Sequence, residues 1–193
     1  MSRDGITNAT DALPVVLVGG ASTRFGRDKL LEPLASGGLL VDRPIRALRE
    51  ATGLPVLIVG ACDDRVAARA DGVIEDPYPG VGPIGGVLAA MEFARGEVVT
   101  LAGDLPGIDA ASVRLLIESA ARHPDAWAVV ARTDRPHPTI GVYRPACVTA
   151  LRTAMEAGRR SLGRAVPAAC RVEVEIARLA ARNVNRPEDL TAR

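Results

Sequence analysis

A glycine-rich segment with a single lysine holds the residue types in this sequence that best suit chemistry. Residues 19–29 read GGASTRFGRDK and include Arg24 and Lys29. Glycine lets backbone N–H groups approach an anion closely, and successive N–H groups surround phosphate oxygens. The two basic side chains add positive charge, and Lys29 is the only lysine among 24 basic residues. The segment therefore predicts a phosphate-binding loop that begins at Gly19 and Gly20.

The letters of this loop disfavour two common nucleotide motifs. The loop matches neither GxxxxGK[ST], the P-loop pattern, nor GxGxxG, the dinucleotide fingerprint. The sequence therefore disfavours a P-loop kinase or a dehydrogenase as the class of this protein. The alternative interpretation is a tight glycine turn with solvated charges. Because lysine is a compact charge that can follow a moving phosphate, a lone lysine in an arginine-rich chain favours the functional interpretation.

Two aspartates follow predicted strands and are candidates for ligand contact. Asp104 lies in LAGDLPGI, where a carboxylate can hold Mg²⁺ that shares its shell with phosphates and water. The alternative role for Asp104 is to cap the next helix. Asp76 opens the stretch DPYPGVGPIGG, which suits the wall of a base or sugar pocket. An ordinary Pro/Gly loop is the alternative there.

The remaining polar clusters are weaker candidates. Arg159 and Arg160 lie close to Arg164 in AGRRSLGR and could clamp a second anionic substrate, although arginine clusters are usually solvated surface. His123 and His137 have no suitably spaced histidine, cysteine or acidic partner. We therefore predict neither a histidine metal site nor a histidine general base.

Short apolar runs that alternate with helical patterns must position these groups. Such alternation, with connections too long for hairpins, indicates an α/β fold: a three-layer, mostly parallel sheet with helices on both faces. Ligands of open α/β sheets bind beyond the carboxyl ends of the strands, where the glycine-rich loop lies. Strands are predicted at 13–18, 55–59, 73–75 and 97–101, and helices at 44–52, 63–70, 84–94 and 109–122.

The second half of the chain predicts further strands and helices. Strands at 127–132 and 139–144 are expected to pair antiparallel at the sheet edge. Helices at 146–157 and 161–168, a strand at 171–176 and a last helix opened by Pro187 complete the prediction. No repeat, low-complexity tract or linker interrupts the pattern, so one domain over residues 1–193 is expected.

Composition limits the partners. The net charge of +1 favours neither nucleic acid nor a membrane surface as a partner. The amino-terminal residues MSRDGITNATD are polar, unlike a signal peptide, and Cys62, Cys147 and Cys170 have no zinc-like spacing. A cytoplasmic protein is the expectation.

Several motifs together resemble one family. Residues 17–29, LVGGASTRFGRDK, are similar to the LAGGxSxRxGxDK signature of molybdenum cofactor guanylyltransferases, members of the wider nucleotidyltransferase fold. Further segments follow in the family's order: VIEDPYPGVGPIGG (73–86), LAGDLP (101–106), HPTIGVYR (137–144), AGRRSL (157–162) and NVNRPEDL (183–190). The resemblance covers nearly the whole chain.

The resemblance implies transfer of GMP from Mg·GTP to the terminal phosphate of molybdopterin that carries molybdenum, with release of pyrophosphate. By position, the backbone of Leu17, Val18 and Gly19 would contact GTP, as Gly20 would in the same loop. Lys29 would contact the phosphates, with Arg24 beside it. A transient contact with proteins that insert the molybdenum cofactor is also expected.

The acidic and amide positions follow from the same resemblance. Asp76 would contact the nucleoside, and Asp104 would bind both GTP and Mg²⁺. Asn183 and Asn185 fall where related enzymes place a second polar group near the metal, and Asn185 is the residue we assign there. Arg159 and Arg160 are our hypothesis for the acceptor's second anion.

Three positions depart from the family pattern. Val18 replaces an alanine, and Gly103 stands where many members have cysteine. Gly60 ends the second predicted strand, where the guanylyl family often has an asparagine that takes part in nucleotide binding. Gly60 therefore leaves open a cytidylyl- or other nucleotidyltransferase acting on another phosphorylated metabolite. A non-catalytic nucleotide-binding regulatory module is an alternative of a different class.

Overall fold

A twisted sheet organises the described part of the chain. The computed structural model describes residues 12–19, 28–184 and 189. Its strands are β1 (Leu13–Leu17), β2 (Leu57–Val59), β3 (Gly72–Ile74), β4 (Val98–Ala102), β5 (Ala128–Arg132), β6 (Pro136–Tyr143) and β7 (Arg171–Glu175). Its helices are α1 (Asp42–Thr52), α2 (Asp64–Ala67), α3 (Pro83–Ala94), α4 (Ala110–Arg122), α5 (Val148–Glu156) and α6 (Leu162–Ala165), with 3-10 turns at Lys29–Leu31, Pro145–Cys147 and Ala168–Cys170.

The described strands form one seven-stranded sheet in the order β3-β2-β1-β4-β6-β5-β7. The pairs β1–β2, β2–β3, β1–β4 and β5–β7 are parallel, whereas β6 is antiparallel to both β4 and β5. The predicted mostly parallel α/β sheet is confirmed, as is the antiparallel pairing of β5 with β6.

The position of the antiparallel pair differs from the expectation. It lies inside the sheet rather than at its edge, because β4 borders β6 and β7 borders β5. Residues 128–131 of β5 are all buried, so this strand needs a neighbour on each side. β7 is partly exposed along its length, which suits an edge strand.

Apolar side chains fill both faces of the sheet. Alternate residues of β1 point to opposite faces, as the period of a strand requires: Val16 joins one buried cluster, and Val15 and Leu17 join the other. The first cluster contains residues of α1 and α4, and the second contains residues of α3, α5 and α6. These two layers confirm the predicted helices on both faces. None of the described helices combines the length and apolarity needed to cross a membrane.

Prolines explain the main differences in element bounds. The helix predicted to reach residue 168 ends at Ala165, because Val166 precedes Pro167 and is extended (φ −94°, ψ 122°). β6 begins at Pro136, three residues before the predicted start. Its first residues tolerate prolines because β4 pairs with β6 only from Gly141 onward. The helix predicted from Pro187 lies outside the described residues.

Candidate active site

A cavity of about 910 Å³ opens at the carboxyl ends of β1 to β4. The amino end of β6 reaches the same edge because β6 runs opposite to its neighbours, and it contributes Thr139. The cavity wall consists of Leu17, Val18, Gly19, Asp28, Lys29, Leu30, Val59, Gly60, Ala61, Val73, Ile74, Glu75, Asp76, Pro79, Gly80, Gly82, Pro83, Gly86, Ala102, Gly103, Asp104, Thr139 and Asn183.

Lys29 and Asp104 meet on this wall. The Lys29 ammonium donates to Asp104 Oδ2 over 2.5 Å and to the Val184 carbonyl over 2.9 Å. The two side chains are 22% and 13% exposed, so both are accessible from the cavity while most of each is shielded. β1 and β4 are hydrogen-bonded neighbours, and this brings the segments that follow them together.

The segment after β7 completes this cluster. Asn183 Nδ2 donates to Asp104 Oδ1 over 2.7 Å, and the Val184 N–H donates to the Asp104 carbonyl over 3.0 Å. The segment packs tightly on the loop after β4, because a Cβ on Gly107 would lie 2.3 Å from the Leu179 carbonyl oxygen. Residues far apart in sequence therefore fix the Asp104 carboxylate from two sides.

Asp28 positions the lysine. Its carboxylate accepts from the Leu30 N–H over 3.0 Å and so caps the 3-10 turn Lys29–Leu31. Leu30 is buried under the cavity and anchors the same turn. Aspartate is a favoured N-cap, and this was the available sequence signal for a role that we did not assign to Asp28.

The β3–α3 loop, residues 75–82, forms another side of the cavity. The Tyr78 N–H donates to Asp76 Oδ1 over 2.8 Å, a turn typical of aspartate. Gly82 (φ +86°) then lets the chain enter α3, whose first residue is Pro83. Asp76 thus lies on the cavity wall as expected, with one carboxylate oxygen engaged by the loop itself.

Two of the departures from the family pattern have steric reasons. Gly60 has φ +113°, and a Cβ built on it would lie 2.1 Å from the Val18 carbonyl oxygen. An asparagine does not fit this backbone, so position 60 lines the cavity without a side chain. At Gly103, a Cβ would lie 3.1 Å from Leu30 and 3.3 Å from the Val18 side chain, which leaves little room for cysteine.

The described cavity wall is acidic. Asp28, Glu75, Asp76 and Asp104 are its carboxylates, and Lys29 is its one cation among the residues that the structure describes. No group of three or more metal-binding His, Cys, Asp or Glu side chains occurs in those same residues. Mg²⁺ commonly uses only one or two protein carboxylates together with phosphates and water. The Asp104 carboxylate, with the Asn183 amide beside it, fits that ligand chemistry.

The other predicted site residues fall into three groups: some lie at the cavity, some are exposed away from its wall, and some lie outside the described residues. The backbones of Leu17 and Val18 lie at the cavity, where the Leu17 carbonyl accepts from Gly103 and the Val18 N–H donates to Val59. Arg159 and Arg160 are exposed and do not belong to the cavity wall as described. The predicted positions Gly20, Arg24 and Asn185 lie outside the described residues.

Arg160 nevertheless reaches the rim. Its guanidinium donates to the carbonyl of Gly80, a wall residue, over 3.0 Å. Thr139 and Asn183 are wall residues that we did not select from the sequence. Thr139 lies in the family segment HPTIGVYR, but its place at the cavity depends on the antiparallel direction of β6, whereas the NVN motif pointed to Asn183 as well as to Asn185.

Solved structures share this architecture. The crystal structure of molybdopterin-guanine dinucleotide biosynthesis protein A from Archaeoglobus fulgidus superposes with a TM-score of 0.70 at 24% identity, covering 92% of this chain and 94% of that one. At that identity the likeness establishes the fold. The sheet order and the cavity at its carboxyl edge define an α/β protein with the fold of the nucleotidyltransferases.

Sequence comparison gives the family. Residues 14–171 match the model of the MobA-like NTP transferase domain, and the chain belongs to this family of nucleotidyltransferases. A probable molybdenum cofactor guanylyltransferase from Opitutus terrae is 34% identical, with 94% of each chain covered. The molybdenum cofactor guanylyltransferase of Pseudomonas syringae pv. syringae is also 34% identical, over 92% of this chain and 90% of the relative. The resemblance inferred from the motifs is confirmed.

Proposed function

We propose that this protein transfers GMP from Mg·GTP to the terminal phosphate of molybdenum-bearing molybdopterin, giving molybdopterin guanine dinucleotide and pyrophosphate. The observation that carries the proposal is the meeting of Lys29 and Asp104, 2.5 Å apart, on a cavity at the carboxyl edge of the sheet. The curated relatives' names support guanine as the base and the molybdenum cofactor as the product class.

The reaction needs positioning more than proton transfer. The acceptor is a phosphate monoester, whose second pKa of about 6 leaves it largely dianionic at neutral pH. One of its oxygens forms a bond to the α-phosphorus of GTP, while the bond from that phosphorus to the bridging oxygen breaks. Pyrophosphate leaves with the electron pair. A dianionic phosphate carries no proton that a side-chain base would have to remove.

Lys29 supplies positive charge where it is needed. Its ammonium is held between the Asp104 carboxylate and the Val184 carbonyl, so it is preorganised beside the place for the triphosphate. Charge that is fixed in advance stabilises the departing pyrophosphate without reorganisation in the transition state. Arg24 is assigned the same role from the sequence.

Mg²⁺ is the expected second source of positive charge. When bound, it neutralises phosphate oxygens and orients them for displacement. Asp104 would hold it, and Asn183 fixes that carboxylate through a 2.7 Å hydrogen bond. The excess of carboxylates on the described wall supports a requirement for a cation, since a triphosphate would otherwise meet mostly negative charge.

Different residues are proposed to bind the nucleotide and the acceptor. The backbone of Leu17, Val18 and Gly19, and the side chain of Asp76, are proposed for GTP. Arg159 and Arg160 are proposed for the acceptor's anion, and the position of Arg160 at the rim beside Gly80 supports this. The cytoplasmic location and the contact with cofactor-insertion proteins stay predictions.

The test is acceptor-dependent release of pyrophosphate with Mg²⁺ and GTP, CTP or ATP. We expect release with GTP and molybdopterin carrying molybdenum, and less with either other nucleotide. Release that is fastest with CTP would favour the cytidylyl alternative, which the side-chain-free position 60 keeps open.

Calorimetric titration with the same nucleotides separates the remaining alternative. Binding of GTP without any pyrophosphate release, at saturating acceptor, would overturn the proposal and favour a regulatory module. Asp104→Asn is expected to weaken the dependence of the rate on Mg²⁺. A metal titration curve identical to the parent's would contradict its assignment as a ligand.

A further inference from the structure

Tyr78 points out of the cavity although its loop forms the cavity wall. Asp76, Pro79 and Gly80 line the cavity, and Tyr78 between them packs instead against the core on the α3 side of the sheet. A Cβ on Gly85 would lie 2.9 Å from the Tyr78 Cβ and 3.0 Å from its carbonyl oxygen. The tyrosine therefore sits directly on the first turn of α3, which glycine alone permits.

The tyrosine hydroxyl is fixed to the same helix further along. It lies 2.9 Å from Glu92 Oε1 and 3.0 Å from Oε2, so its single proton is donated to this carboxylate. Gly85 and Glu92 lie about two turns apart and share one face of α3. Burial and the Glu92 charge raise the pKa of Tyr78, so the hydroxyl remains a donor at neutral pH.

A residue of a second helix, α5, contacts the same Glu92 carboxylate, and we call the linked side chains Tyr78, Glu92 and Arg152 the anchor. Arg152 of α5 donates to Glu92 Oε1 over 2.7 Å. Arg152 is 52% and Glu92 30% exposed in their side chains, so Arg152 orients the carboxylate more than it stabilises the fold. A third contact comes from the segment after α5, where Arg160 donates to the Gly80 carbonyl.

We propose that the chain Tyr78–Glu92–Arg152 positions the β3–α3 loop for nucleotide binding, so that nucleotide affinity depends on three residues outside the cavity. The tyrosine's own backbone links this anchor to the ligand, since its N–H orients the Asp76 carboxylate over 2.8 Å. The inference rests on the proposed function for the identity of the ligand. Tyr78, Glu92 and Arg152 are positioning residues, because none of them belongs to the described cavity wall.

Tyr78→Phe tests the proposal, because it removes the hydroxyl and keeps the ring on Gly85. Loss of a hydrogen bond to a charged group is expected to raise the KM for GTP about tenfold. The kcat should stay within about twofold of the parent. A fall in kcat with an unchanged KM for GTP would overturn the proposal.

Two glutamate variants test the hydrogen bond itself. Glu92→Gln keeps an oxygen acceptor for the tyrosine, so its KM for GTP should rise less than that of Glu92→Ala. Equal KM values for GTP in the two variants would contradict the proposed role of the Tyr78–Glu92 hydrogen bond. Arg122→Ala is the matched control for Arg152→Ala, since Arg122 also pairs with a glutamate on a helix surface, at 3.8 Å from Glu118. Of these two arginine variants, only Arg152→Ala should raise the KM for GTP.

Hydrogen exchange of the nucleotide-free protein separates this inference from the proposed function. The amides of residues 78 and 80–82 are expected to exchange faster in Tyr78→Phe than in the parent. Unchanged exchange there would overturn the inference alone. A parent protein that turns over no nucleotide would instead overturn the proposed function, whatever the exchange result.

Discussion

At the scale of single residues, we propose that the Lys29–Asp104 pair serves binding more than stability. Both side chains are mostly shielded, and in such a pair the cost of desolvating two charges offsets much of their attraction, so the net contribution to stability is small. What the pair provides is placement, because the Val184 carbonyl and the Asn183 amide hold the two charges in fixed positions. Removal of the lysine should therefore damage catalysis far more than folding.

Lys29→Ala is expected to lower turnover on the order of a hundredfold or more, because a preorganised donor at developing charge contributes about 3–4 kcal/mol. Steady-state pyrophosphate release with GTP measures this, and circular dichroism should match the parent. Arg49→Ala, which removes a surface ion pair with Asp71, is the control that should retain activity. Near-normal turnover in Lys29→Ala would refute its central role.

Gly60→Asn is expected to destabilise the protein by about 2–4 kcal/mol, although asparagine is frequent in relatives by the sequence resemblance. The reason is the combination of φ +113° with a Cβ only 2.1 Å from the Val18 carbonyl oxygen. Gly53→Asn is the matched control, since Gly53 has φ +70° and open space around it. Urea unfolding should show a large loss for the first variant only, and equal stabilities would contradict the steric argument.

At the scale of elements, β6 decides which side chains reach the cavity. Being antiparallel to β4, it brings its amino end to the carboxyl edge of the sheet, where Thr139 joins the wall. Its pairing with β5 shifts register between Val130 and Ala131, close to Gly141. A Cβ on Gly141 would lie 2.5 Å from the Val129 carbonyl oxygen, so glycine permits this close approach.

His137 of β6 should make stability depend on pH. Burial, and then the charge of Arg135, lower the pKa of His137 from its ordinary value of 6.5. The folded state binds the proton less readily than the unfolded state, so the stabilisation is complete above pH 6.5 and is lost as the pH falls below it. Urea unfolding between pH 7 and 5 should show this decline.

The His137→Gln variant is the comparison for that decline. Glutamine does not titrate, and its amide can still meet the Thr133 hydroxyl, which lies 2.8 Å from His137 Nε2. Its free energy of unfolding should fall less between pH 7 and 5 than the parent's. Parallel pH curves for the two proteins would show that His137 is not responsible.

At the scale of the whole molecule, the cavity joins segments from both ends of the described chain. β1 and the Lys29 turn come early, β4 and Asp104 lie in the middle, and Asn183 and Val184 follow the last strand. A ligand bound there contacts only the folded state. Binding should therefore stabilise the whole fold by mass action.

Mg·GTP at a hundred times its dissociation constant is expected to stabilise the protein by about 2.7 kcal/mol. For a chain of this length that corresponds to a rise in Tm of roughly 5–10 °C by scanning calorimetry. EDTA should reduce the rise by removing Mg²⁺, and Lys29→Ala should reduce it by weakening nucleotide binding. An equal rise for parent and Lys29→Ala would contradict a lysine contact with the phosphates.

Local sequence patterns were enough to predict most of the helices and strands and the individual candidate residues. Short β-branched runs closed by glycine predicted β1 and its loop, and Lys29, Asp76 and Asp104 were each recognisable from their place after a strand. Such patterns are local, because backbone preferences and apolar periodicity act over a few residues. The fold class followed from these patterns, whereas the family followed from the resemblance of the motifs.

Which of these residues lie together depends on the tertiary fold. In the strand order, β4 lies beside β1 and the antiparallel pair lies inside the sheet. In the same fold, Asn183 is hydrogen-bonded to Asp104. The fold also sets the Val18 carbonyl against position 60, which no local pattern indicates. Strand order and close approach depend on packing between residues far apart in sequence, and local patterns carry no information on that packing.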